Sequence, residues 1–284
     1  MKWKDRAESD NVEDRRSLGK TGLVVGGGGT ILLVIAVLVG QYFGVDLRPL
    51  LNQQGALNPD QGGQVDPAQE EARHFVGVVL KDTEDVWSEQ FRTVYSREYV
   101  KPKLVLFTGQ VESACGLAGA AVGPFYCPGD KQVYLDLSFF GELRKLMEVR
   151  RDAPVEFAQA YVIAHEIGHH VQKLLGYSER VRTRKGEMSD SVRLELQADY
   201  LAGVWAHHIQ KTKHILEKGD IETALTAAKS IGDDRLQKRA RGTVVPDSFT
   251  HGTSAQRVRA FTSGFESGDC SRRRLDVFFN ADKL

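Results

Sequence analysis

Three residues near the middle of the chain have the types and spacing of a metal-dependent hydrolase. His165, Glu166 and His169 spell H-E-x-x-H within an apolar run from Ala160 to Gln172. On an α-helix, positions i and i+4 share a face, so both imidazoles can reach one ion. Glu166 follows the first histidine and can act as general base towards a water on that ion. The five-residue pattern also arises by chance, so its surroundings must decide. A catalytic zinc usually has three protein ligands and a water, which leaves one ligand to find. The extended pattern with a third histidine is excluded, because Gln172 and Leu175 occupy its glycine and histidine positions.

A downstream carboxylate is the other source. Between Ser191 and Gly203, Glu195 and Asp199 stand four residues apart among Leu194, Leu196, Ala198, Leu201 and Ala202. Glu195 can ligate the ion while Asp199 accepts a hydrogen bond from the far nitrogen of a ligand histidine and fixes its tautomer. Two acids in so apolar a stretch are costly unless paired or metal-bound. The plain alternative is a solvated helix face; Glu187 and Asp190 are weaker rivals, since neither begins an E-x-x-x-D pair. His74, His170, His207, His208 and His214 read as packing or surface residues. His251, in Ser248–Arg257, is a candidate for stabilising a developing oxyanion.

The elements that must position these groups follow from periodicity. Pro154 can open a helix running from Val155 to about Leu175 and stopping near Gly176. Phe75, Val78, Val79, Val86 and Phe91 mark a packing helix in a domain beginning near Glu70. Leu104–Phe107 reads as a strand, and Val133–Phe140 as a strand with one buried face, followed by a basic helical segment from Gly141 to Arg151. A charged helical region spans Asp220 to Arg241. Cys115 and Cys127 bracket a short loop and form the expected disulfide of a domain in an oxidising compartment, two free thiols being the alternative. Cys270 is left over. The fold class is α+β, mainly helical with a small sheet.

The chain has 284 residues, 41% hydrophobic and 27% charged, with a formal net charge of zero. That balance gives no electrostatic reason to expect nucleic-acid binding. Leu23 to Phe43 are 21 residues without a charge, enough to cross a bilayer core as a helix, which takes about 20 residues. A buried soluble helix and a cleaved signal peptide are the alternatives, but no clear small-x-small cleavage site follows. Lys2, Lys4, Arg6, Arg15, Arg16 and Lys20 precede this stretch and Arg48 alone follows closely. The positive-inside rule then predicts a cytoplasmic amino terminus. The expected organisation is a polar cytoplasmic tail (1–20), a transmembrane anchor (21–45), a flexible tether (46–69) rich in Gln, Gly, Asn, Asp and Pro, and the catalytic domain (70–284) outside. That describes a single-pass inner-membrane protein with a periplasmic or extracellular domain.

Several segments together resemble the bacterial neutral zinc metallopeptidase family, also called YpfJ-like. They are Asn11–Arg16, Glu112–Gly116, Gly123–Pro128, Val133–Leu137, His165–Gln172, Glu195–Asp199 and Thr250–Arg257. The resemblance implies a membrane-anchored zincin-like domain with one zinc ion on His165, His169 and Glu195, and Glu166 as base. It also resembles more distant membrane-associated peptidases in which a His-x(5)-Arg segment follows the ligand helix, which implies transition-state or structural roles for His251 and Arg257. Relatives commonly carry cysteine where this chain has Tyr200, so Cys270 lacks that partner. Zincins hold an extended substrate on an edge strand, and Val133–Phe140 is the candidate. The expected function is a zinc-dependent endopeptidase acting on peptides or proteins of the cell envelope. The alternative is a membrane-tethered, zinc-binding client or assembly factor that does not cleave.

Overall fold

The computed structural model describes residues 1–16, 66–120, 123–150 and 153–280. The expected transmembrane stretch, and the tether up to residue 65, lie outside these residues. No helix among the described residues is long and apolar enough to cross a membrane.

The first helix starts earlier than its apolar periodicity indicates. α1 (Pro67–Val94) opens on Pro67, and the Asp66 side chain accepts from the Ala68 backbone N–H. Asp66 to Gln69, expected as tether, are therefore a helix cap and its first turn. Two parallel strands follow the pattern of buried residues. β2 (Lys103–Phe107) and β6 (Gln132–Asp136) run side by side, and β1 (Val12–Asp14) extends the sheet beyond β2. β3 (Gln110–Ser113) and β4 (Gly116–Gly119) form a separate antiparallel hairpin, and β5 (Phe125–Cys127) pairs antiparallel with β6. The sheet order is β1-β2-β6-β5.

Alternation gives the sheet two buried faces. Leu104, Leu106, Val133 and Leu135 join the main core with the helices, while Val105, Phe107 and Tyr134 join a smaller cluster with Val111 and Cys127. The disulfide Cys115–Cys127 is present, with Cα atoms 5.8 Å apart. It ties β5 to the turn of the β3–β4 hairpin.

Two expectations fail at this sheet. The strand expected over Val133–Phe140 ends at Asp136, whose carboxylate accepts from the backbone N–H groups of Ser138 and Gly109. That turn leads straight into α2 (Phe139–Met147). β6 is also an interior strand with β2 on one side and β5 on the other, so its backbone groups are taken and it has no edge to offer a substrate. The edge next to it is β5.

The rest is helical: α3 (Glu156–Leu175), α4 (Asp190–Lys213), α5 (Asp220–Ser230), α6 (Asp233–Arg241), α7 (Ser254–Ser267) and α8 (Arg272–Asn280). Fifteen of the 20 residues of α3 are buried, and Gly176 at φ 83° ends it. α4 and α7 pack backbone against backbone. A Cβ on Gly203 would lie 2.1 Å from the Phe261 carbonyl oxygen, and one on Gly264 would lie 2.0 Å from that of Tyr200. Tyr200 is fully buried, and its hydroxyl donates to the Asp269 carbonyl at 2.6 Å. Cys270 is buried and free.

The expected polar tail is not a tail. Residues 1–16 pack on the domain: Met1 and Trp3 are buried, Trp3 meets Phe75 edge-on at 5.3 Å, and β1 lies in the sheet. The segment lacks apolar periodicity because it crosses the surface mostly extended, and much of its docking is polar.

Candidate metal centre

α3 and α4 lie against one another and place the five residues singled out by spacing on facing sides. α3 carries His165, Glu166 and His169; α4 carries Glu195 and Asp199. His165 Nε2 is 3.2 Å from Glu195 Oε2, and His169 Nε2 is 3.5 Å from Glu195 Oε1. The two histidines and Glu195 can each offer one donor atom within 4.8 Å of the others. Zinc–ligand bonds of about 2.0–2.1 Å in tetrahedral array separate neighbouring donors by about 3.4 Å. The donor set and its spacing therefore fit such an ion.

Each imidazole is turned by a partner on its other nitrogen. His165 Nδ1 donates to Asp199 Oδ1 at 2.9 Å, and His169 Nδ1 donates to Gln172 Oε1 at 2.8 Å. Both Nε2 atoms are thus left to point at the same place, the arrangement that outer partners impose on metal-bound histidines. Gln172 is itself fixed, since its amide nitrogen donates to the Leu194 carbonyl at 2.6 Å and to Gln197 Oε1 at 3.0 Å. Gln197 in turn donates to the Leu275 carbonyl at 2.9 Å. The sequence alone assigned no role to Gln172, which entered only at the glycine position of the excluded third-histidine pattern. Its position three residues after His169, on the same helical face, was the available signal.

Asp199 is wholly buried and fully used. Arg257 Nε donates to its Oδ2 at 2.9 Å, and Arg257 Nη2 to its Oδ1 at 2.9 Å. The Tyr161 hydroxyl also donates to Oδ1 and accepts from Arg257 Nη2 at 3.2 Å. Arg257 is only 2% exposed, so the structure places it behind the histidine. Tyr161, one turn before His165 on α3, gave no signal beyond apolar packing.

Charge follows this geometry. Burial opposes a charged His165, but the Asp199 and Glu195 carboxylates outweigh it and push its pKa up to about 10. Burial also opposes ionisation of Glu195, yet His169 and His165 beside it hold its carboxyl well below the usual range. A divalent cation between them would require both Nε2 atoms unprotonated and Glu195 ionised. Glu166 is different: burial raises its pKa above the ordinary carboxyl value, with His169 and His165 pulling it back.

His165, Glu166, His169 and Glu195 open onto a cleft of about 740 Å³ whose far wall includes Pro124, Phe125 and Tyr126 of the β5 segment. His251 lies on its rim with its side chain half exposed. Asp233 holds the His251 loop by accepting from the backbone N–H groups of Thr250, His251 and Gly252 at 2.7, 2.6 and 3.1 Å. The hydrogen bond to Asp233 outweighs burial and raises the His251 pKa. His170, next to the metal-facing pair, points away: its Nε2 donates to the Val100 carbonyl at 2.6 Å, and Nδ1 accepts from the Tyr126 hydroxyl at 3.1 Å. A second cavity, of about 660 Å³ beside Trp3, Phe75 and Phe140, has no histidine or cysteine in its walls.

Residues 1–275 match the family described as "Putative neutral zinc metallopeptidase". The chain belongs to this family. It is 48% identical over 283 residues to the uncharacterized protein YpfJ of Escherichia coli K12, covering 95% of this chain and 96% of that protein. It is also 43% identical over 194 residues to the uncharacterized protein Rv2575 of Mycobacterium tuberculosis H37Rv, covering 65% of this chain and 64% of that one. No solved structure matches it. The family description implies zinc, and the histidine–histidine–glutamate cluster is the donor set among the described residues that suits it.

Proposed function

We propose that this protein is a zinc-dependent endopeptidase of the zincin kind, with one ion held by His165, His169 and Glu195. The observation that carries the proposal is the convergence of these three donors, with the Glu166 carboxyl beside them in the wall of an open cleft. When bound, the ion lowers the pKa of a coordinated water to roughly 7 and polarises the substrate carbonyl. Glu166 takes the proton of the attacking water and delivers it to the leaving amine; its burial suits a carboxyl that must both accept and release a proton. Asp199 keeps His165 turned by its Nδ1, with Arg257 and Tyr161 holding Asp199. His251, on the cleft rim, is the side chain placed to meet the oxyanion. A substrate in extended form adds to β5, the end strand of the described sheet and part of the cleft wall.

The same proposal puts the domain in an oxidising compartment, on the strength of the Cys115–Cys127 disulfide. Membrane attachment comes through the apolar stretch Leu23–Phe43, and proteins of the cell envelope are then the substrates within reach.

The test is cleavage of an unfolded protein such as casein, with zinc content measured on the same sample. Wild type should cleave, chelator should abolish cleavage, and Glu166→Gln should retain zinc while losing at least about a hundredfold in rate. Bound zinc without chelator-sensitive cleavage would instead favour a client-binding factor. Full activity in Glu166→Gln would remove Glu166 from the chemistry.

A further inference from the structure

We propose that residues 1–16 lie on the same side of any membrane as residues 66–280, the two being parts of one folded unit. The inference stands on the docking of residues 1–16 and does not depend on the peptidase reading.

The amino-terminal segment meets the domain along its whole length. The Lys2 N–H donates to the Ile215 carbonyl at 2.8 Å, beyond the end of α4. The Ser9 N–H donates to the Gly77 carbonyl at 3.0 Å, and the Ser9 hydroxyl and Asn11 amide both donate to the buried Glu84 at 2.6 Å. β1 is in register with β2, Val12 opposite Leu104 and Asp14 opposite Leu106, and the Arg15 N–H continues the ladder to the Leu106 carbonyl at 2.8 Å. Hydrogen bonds of this length cannot bridge a bilayer core about 30 Å thick.

The basic residues that suggested a cytoplasmic terminus have a second explanation. Arg6 pairs with the buried Asp82, Arg15 with Glu13 at 2.7 Å, Arg16 with Glu70 at 2.7 Å, and Lys4 with Glu71 at 3.0 Å. Four of the six positive charges ahead of the apolar stretch thus have carboxylate partners within the folded unit, three of those partners on α1. Arg6 and Arg16, the two least exposed of these, thus have a use inside the folded unit besides any bearing on orientation. The flanks of the undescribed stretch also meet: Arg16 Nη1 donates to the Gln69 carbonyl at 3.3 Å. The described chain thus stops and resumes, at Arg16 and Asp66, on one part of the domain. The family match runs through both parts, from residue 1 to residue 275.

The experiment is cysteine labelling of the full chain in intact cells with a membrane-impermeant maleimide, normalised to labelling after permeabilisation. Lys4→Cys and Arg92→Cys are made separately, since these side chains are 71% and 70% exposed, their ion pairs lie at the surface, and Lys4 otherwise only rests 5.6 Å over the Trp3 ring. The parent chain, with Cys270 buried and the other two cysteines bonded, gives the background. The two normalised signals should agree within about twofold, whichever side the domain occupies. Labelling of one position in intact cells and of the other only after permeabilisation would overturn the proposal. As a second measurement, Trp3→Ala in the purified full chain should lower the melting temperature of the whole domain by roughly 6 °C or more. An unchanged transition would show that the segment does not dock and would overturn the proposal independently.

Discussion

Replacing Arg257 tests whether the metal centre is held from behind. The guanidinium is 2% exposed and the Asp199 carboxylate wholly buried, and Arg257 is the only described donor to Asp199 Oδ2. Arg257→Leu leaves that oxygen buried without a proton donor, while Oδ1 keeps Tyr161 and His165. Breaking one side of a buried ion pair costs about 3–5 kcal/mol, a large share of the roughly 5–15 kcal/mol that keeps a domain folded. For a domain of this size that corresponds to a melting temperature lower by roughly 6–20 °C. Arg257→Lys keeps the charge but loses the planar fork that reaches both carboxylate oxygens, so it should fall between the two. The relaxed Asp199 no longer fixes the His165 tautomer, and zinc affinity should drop by about 10–100-fold. Thermal denaturation of metal-free protein and competition with a calibrated zinc chelator measure the two effects separately. If Arg257→Leu melts within a degree or so of wild type and binds zinc equally well, the support ascribed to Arg257 is wrong.

Gln172→Ala should weaken zinc binding by about 10–100-fold with a small change in melting temperature, because His169 loses the group that orients it; the same chelator competition reads this. Removing zinc should itself lower the melting temperature: an ion present at a thousand times its Kd stabilises by about 4 kcal/mol, so dialysis against chelator should cost roughly 8–16 °C. Gly203→Ala should destabilise by at least about 3 kcal/mol, at or beyond the upper end of ordinary overpacking, since the new methyl meets the Phe261 backbone and not a movable side chain; urea unfolding reports it. Reduction of Cys115–Cys127, or Cys115→Ser, should cost about 3 kcal/mol in the chain-entropy model, and casein cleavage should fall with it if β5 seats the substrate.

Within the domain, legibility tracked how local the physics is. The α3 boundaries could be read from Pro154, Gly176 and an apolar run at helical spacing, because capping and periodicity are properties of a short window. The same holds for His165, Glu166 and His169, which are placed by one helix. Glu195 and Asp199 required two helices to meet, yet acids in an apolar stretch announce that something must neutralise them. Gln172 and Tyr161 announce nothing of the kind. A glutamine or tyrosine on a packed helix face satisfies local expectations, and only the arrival of α4 and α7 shows what their polar atoms hold. The strand over Val133–Phe140 was overextended because alternation persists through a turn that Asp136 creates with its own side chain.

The docking of residues 1–16 was illegible in the sequence for a different reason. Charged residues before an apolar stretch carry meaning under two rules at once: they bias orientation at a membrane, and they seek carboxylates in a folded protein. A sequence shows the charges but not the partners, which here lie at Glu70, Glu71 and Asp82, more than fifty residues away. The first rule needs only neighbours in the chain, so it is applied by default. The second needs the fold. Once Ser9 and Asn11 are seen to share the buried Glu84, and β1 to sit in register on β2, the tail becomes the sheet's outer strand. Arg16 and Asp66, the described residues on either side of the undescribed stretch, then both stand at the start of α1.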